Sequence, residues 1–149
     1  MRKILIYLLL IFAVSATASE INWAKDYKAG MATAKKLNKP VLFVSSRHSC
    51  KYCVILDETT FRDAMVVQAL NSDFVSIVAY SDEKDYIPKE LWRPGTPAIW
   101  FLMPDGVPMF QPLMGAMGSR DFMNALAQVK KEFDALQKKE KNDFYKLKK

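Results

Sequence analysis

Soft metal ligands are scarce in this chain, which has two cysteines and one histidine among 149 residues. A closed zinc site takes about four such ligands, so the chain cannot build one alone, and no metal and no bound cofactor is expected. Internal repeats and low-complexity linkers are also missing, which argues against a repeat array and for one continuous domain. There is no basic segment interleaved with aromatics and no recognition-helix pattern, so nothing suggests nucleic-acid binding. Long apolar runs are limited to one: Ile4 to Val14, eleven residues without a charge. At ~1.5 Å per residue it covers about half of a ~30 Å hydrocarbon core. With Arg2 and Lys3 before it and Ala16-Thr17-Ala18 after it, the segment reads as a cleavable export signal over residues 1–18 rather than an anchor. No cysteine stands in the residues just after the run, so the acylated cysteine of a lipoprotein is not expected there.

Lysine and arginine outnumber aspartate and glutamate by 22 to 16, a formal charge of +6. Arg2 and Lys3 account for two of those charges, and much of the rest lies in the last twenty residues. There Lys138, Lys139, Lys141, Lys146, Lys148 and Lys149 alternate with Glu140 and Asp143. Mixed charges at helical spacing read as a solvated, fraying helix. The expected organisation is therefore an export signal (1–18), one domain (19–137) and a Lys-rich tail (138–149), acting as a monomer.

Within the domain, Trp23, Tyr27, Met31, Ala34 and Leu37 recur at three- and four-residue steps, predicting a helix capped by Asn22 and ended by Asn38-Lys39-Pro40. Val41 to Ser45 predicts a strand buried on both faces. Helical turns are expected from Cys50 and again over Asp63 to Leu70, with Asn71 as the stop. Phe74 to Tyr80 reads as a strand and Ser81 to Asp85 as a polar loop. A brief helical crossover fits Tyr86 to Trp92. Ala98 to Met103, the turn Pro104-Asp105-Gly106 and Val107 to Gln111 form an expected hairpin. Ser119 is the expected cap of a last helix whose apolar face is Phe122, Leu126, Val129, Phe133 and Leu136. This order predicts an α/β fold: a central mixed β-sheet flanked by helices on both faces. Met103, Met109, Met114, Met117 and Met123 read as core filler, and Trp92 as a packing residue placed closely enough before the proline loop to border a substrate-binding groove.

The strongest chemical signal is Cys50-Lys51-Tyr52-Cys53 at the point where a buried strand gives way to a helix. Unpaired N–H groups and the positive dipole end favour a thiolate at Cys50, the nucleophile. Cys53, one turn on, can return to resolve a mixed disulfide. A structural disulfide closing so short a loop would stabilise little. Lys51 and His48 are candidate tuners of the couple, with Tyr52 between the cysteines; their positive charge would stabilise the reduced form and make the couple more oxidising.

Lys39-Pro40-Val41-Leu42, Cys50-Lys51-Tyr52-Cys53, Thr60-Phe61 and Gly95-Thr96-Pro97, in that order between matching elements, resemble the thioredoxin superfamily and in particular its exported bacterial members. The resemblance covers Asn22 to about Leu136 and implies a thioredoxin fold and thiol:disulfide oxidoreductase activity. It implies that the only redox group is the Cys50–Cys53 disulfide itself. It implies a cis bond before Pro97 and a substrate-binding segment of Gly95, Thr96 and Pro97, with the Thr96 backbone pairing with a bound polypeptide. It further implies a periplasmic or otherwise exported location, exported protein substrates, and a membrane thiol-disulfide electron donor or acceptor as partner. Two departures bear on mechanism. Thioredoxins usually carry Trp before the first cysteine and a buried Asp six residues before it, whereas here these are Ser49 and Val44. Proton handling at Cys53 therefore runs by another route, with water or Glu58 as candidates.

Overall fold

The computed structural model describes residues 20–148, and the export signal read over residues 1–18 lies outside them. Four strands form one sheet in the order β2–β1–β3–β4: β1 is Val41–Ser46, β2 Val75–Tyr80, β3 Ala98–Leu102 and β4 Leu113–Met114. β1 pairs parallel with β2 and antiparallel with β3, and β3 pairs antiparallel with β4. All six residues of β1 are buried, as a central strand covered on both faces must be.

Alternation along β1 sends Leu42 and Val44 to one face and Val41 and Phe43 to the other. The first face packs with Ile99 and Phe101 against helices α2 (Lys51–Glu58), α3 (Ala64–Asp73) and α4 (Ser119–Leu147), and against the 3-10 turn Thr60–Arg62. The second packs with Ile77, Trp100 and Leu102 against helix α1 (Tyr27–Leu37) and the 3-10 turn Lys89–Leu91. Gly30 lets α1 approach closely: a Cβ there would lie 2.4 Å from Ile77 Cγ1.

Several local expectations shift. Asp26, not Asn22, caps α1, its side chain accepting from the Ala29 N–H. Trp23 lies outside the helix, in an isolated parallel bridge to Ser76, because the Ala24 N–H is committed to the Ser76 carbonyl at the sheet edge. Its ring packs on Phe61 instead. Asn71 lies inside α3; its side chain ties down the incoming chain, accepting from Asn22 N–H and donating to the Glu20 carbonyl. The expected crossover helix shrinks to Lys89–Leu91.

The return strand is displaced. Val107 to Gln111 contributes only a bridge between Pro108 and Leu102, and the regular ladder begins at Leu113. Pro108 and Pro112 lack the N–H a ladder requires. Gly118, not Ser119, occupies the N-cap of α4, and the helix continues without a break through position 137 to Leu147. Met109, Met117 and Met123 pack against the core, while Met114 is exposed. Among the described residues, no helix is long and apolar enough to cross a membrane.

Candidate functional site

β1 ends at Ser46 and the chain turns through Arg47 to Ser49 into α2, with the Cys50 N–H donating to the Arg47 carbonyl. Cys50 is the N-cap of α2: its backbone is extended and its sulfur accepts from the Cys53 N–H at 3.4 Å. An N-cap sulfur thus occupies the place where a helix offers free donors and positive potential. Cys53, one turn deeper, is 3 % exposed, whereas Cys50 is partly exposed; both are thiols.

Across the site, the Thr96–Pro97 peptide bond is cis. The Thr96 carbonyl accepts from the Cys50 thiol at 3.2 Å, and the Pro97 carbonyl accepts from the Gly115 N–H at 2.9 Å, leading into β4. Gly95 lies against Met114, which would sit 3.3 Å from a Cβ at that position. The fold therefore brings together Cys50, Cys53, Thr96 and Pro97.

The two sulfurs have opposite electrostatic settings. Burial works against ionisation of Cys50, but hydrogen bonds from the Cys53 and Thr96 side chains and from the Cys53 and Tyr52 N–H groups outweigh it and hold the thiol below its ordinary value. Burial pushes Cys53 up, and its bond to Cys50 adds to that; bonds from the side chains of Ser46 and Thr96 and from the Arg47 backbone offset it in part. The outer sulfur is therefore the more readily ionised of the two, and the inner one is held as a thiol.

The remaining sequence candidates take separate positions. Lys51 and Tyr52 are exposed on the first turn of α2, Tyr52 to 58 %. Trp92 ends the 3-10 turn and is 57 % exposed. The His48 ring stacks on Tyr80 with centroids 4.0 Å apart, and its Nε2 lies 2.8 Å from Glu83 Oε1. Val44 is fully buried in the apolar core, and Glu58 is exposed at the far end of α2.

Four neighbours carry no motif that would single them out in the sequence: Ser46, Tyr80, Asp82 and Glu83. Burial pushes the Tyr80 hydroxyl up, with the carboxylates of Asp57, Glu83 and Asp82 adding negative charge around it. Only the end of a strand followed by a polar loop signals these residues in the sequence; the parallel pairing of Ser46 with Tyr80 is what carries them to the cysteines.

Over 58 residues, 39% of this chain, the sequence is 29% identical to Anterior gradient protein 2 of Xenopus laevis, covering 31% of that protein. The chain thus spans about a third of the length of the curated relatives it matches. Among solved structures, a thioredoxin from Thermus thermophilus superposes with a TM-score of 0.64 at 24% identity, over 74% of this chain and 87% of that one. The reduced form of the Neisseria meningitidis DsbD C-terminal domain superposes with a TM-score of 0.56 at 27% identity, over 68% of this chain and 91% of that one. The fold is the thioredoxin fold. Matched from residue 9 to residue 149 by the model of Thioredox_DsbH, the family described as "Protein of unknown function, DUF255", the chain belongs to that family within the thioredoxin superfamily.

Proposed function

We propose that this protein is an exported thiol:disulfide oxidoreductase that reduces disulfides of exported proteins through Cys50 and Cys53. The observation that carries the reading is the asymmetry of the pair. A partly exposed sulfur with a lowered pKa caps α2, and a buried sulfur with a raised pKa lies one turn behind it.

In the forward step the Cys50 thiolate attacks a substrate disulfide, forming a mixed disulfide and releasing one substrate thiolate. Cys53 then gives up its proton and attacks Cys50 Sγ. The Cys50–Cys53 disulfide forms and the second substrate sulfur leaves, so two electrons pass from the pair to the substrate. No buried carboxylate stands at Val44 to take the proton that leaves Cys53, so it passes to the departing substrate thiolate or to solvent. An exported dithiol would drift to disulfide in an oxidising compartment, so the reading includes a membrane thiol-disulfide donor that restores it. Arg2, Lys3, the Ile4 to Val14 run and Ala16-Thr17-Ala18 support export.

Half-exposed Tyr52, Trp92 and Met114 give the surface around the site an apolar character. This supports a second reading, in which a thioredoxin-fold chaperone holds peptides and the cysteines are incidental. One experiment separates them. Cys53→Ala is expected to accumulate mixed disulfides at Cys50 with exported proteins, released by dithiothreitol and absent from Cys50→Ser. A Cys50→Ser, Cys53→Ser double variant that restores a deletion strain would sink the redox reading in favour of the chaperone.

A further inference from the structure

The loop that delivers Cys50 is tied to the neighbouring strand by a side chain outside the redox motif. Beyond β2 the Ser81 N–H continues the parallel ladder by donating to the Ser46 carbonyl at 3.0 Å. The next turn locks itself: the Tyr80 carbonyl accepts from the N–H groups of Glu83 and Asp85, and Asp85 Oδ2 accepts from the Tyr80 N–H at 2.8 Å. Asp82 is carried on this turn. Its Oδ2 accepts from the His48 N–H at 2.8 Å and from the Ser49 N–H at 3.3 Å. The His48 side chain completes the contact by stacking on Tyr80 and bonding Glu83.

We propose that Asp82 is a positioning residue for Cys50: by accepting from the two N–H groups that precede it, the carboxylate holds the active-site loop so that the Cys50 sulfur stays at the N-terminus of α2 and against Thr96. The charge itself works the other way, since a carboxylate near a thiolate disfavours it; the contribution is geometric. Desolvation works against ionisation, but the N–H groups of Ser49, His48 and Asp82 itself together hold the Asp82 carboxyl below its usual range, consistent with those bonds being made to the ionised form.

This deepens the redox reading, but its test needs no disulfide substrate, so its failure and that of the trapping experiment are distinct results. The reduced full chain is alkylated with iodoacetamide across a pH series, with modification at Cys50 read by mass spectrometry. Asp82→Ala is expected to move the Cys50 profile to higher pH and to slow alkylation at about pH 7 roughly threefold, about half a unit of thiol pKa. Asp82→Asn, which keeps an acceptor oxygen and loses the charge, is expected to react at least as fast as the parent. Hydrogen exchange gives an independent reading: the His48 and Ser49 amides should lose protection in Asp82→Ala and keep most of it in Asp82→Asn. Asp82 is exposed, so both variants should fold, which circular dichroism checks. An Asp82→Ala profile that coincides with the parent, or an Asp82→Asn profile as slow as Asp82→Ala, overturns the proposal.

Discussion

On one face of the sheet, Leu42, Val44, Ile99 and Phe101 meet residues from three helices and a 3-10 turn. On the other, Val41, Phe43, Ile77, Trp100 and Leu102 meet little more than α1 and the turn at Leu91. The thick side holds the aromatic chain from Trp23 through Phe61 and Phe122 to Phe101. The thin side closes by backbone approach, with Gly30 against Ile77. Ser46 and Tyr80 follow Val44 and Val78 in the strand alternation and so belong to the thick side, together with Cys53 and Leu56 on α2. Both faces supply stability, but the redox helix rests on only one of them.

That difference can be broken from either side. Leu56→Ala should have the largest effect: Leu56 is 1 % exposed and anchors α2 in the thick core, so the loss should be about 2–5 kcal/mol. Because α2 carries both cysteines, the same variant should also slow disulfide reduction per folded molecule, measured below its denaturation midpoint. Gly30→Val should cost somewhat less, about 1–3 kcal/mol by overpacking against Ile77, read as a shift in urea midpoint. Its reduction rate per folded molecule should match the parent. Equal loss of activity in the two variants would show that the faces are not separable in this way. The smallest effect is expected beyond both cores. Phe144 is 54 % exposed and Leu147 89 %, and replacing both with Ser should change stability by no more than about 0.5 kcal/mol.

Much of this arrangement is legible in the order of the amino acids. Asp63 begins a helix and Asn38 ends one because their caps are local: a carboxylate accepting from the next N–H groups, and a residue whose φ of 49° Asn tolerates. The strands around Phe43, Ile77 and Trp100 read correctly because a continuous apolar run too short for a helix has few alternatives. Cys50 and Cys53 are readable because their signal is type and spacing, whereas the Gly95-Thr96-Pro97 segment is singled out by the resemblance to the thioredoxin superfamily. Errors cluster where a long-range partner overrides the local pattern. Trp23 fits a helical face, but the edge of β2 takes the backbone at that point. Asn71 looks like a stop, but the incoming chain occupies its amide. The Lys-rich tail, read as a solvated helix, does continue α4 as far as Leu147, with local pairs such as Lys130–Asp134 at 2.6 Å along the same helix.

The sequence by itself determined the class of fold and the two sulfurs at the start of α2, because strand runs, helix periodicity and Cys-x-x-Cys at a strand-to-helix junction are written in adjacent residues. Tertiary structure alone decided what surrounds those sulfurs. Thr96 reaches Cys50 through the antiparallel pairing of β3 with β1, and Ser46, Tyr80 and Asp82 gather there through the parallel pairing of β2 with β1. Hydrogen bonds act over about 3 Å, and only the pairing of strands distant in sequence brings those donors and acceptors within that reach.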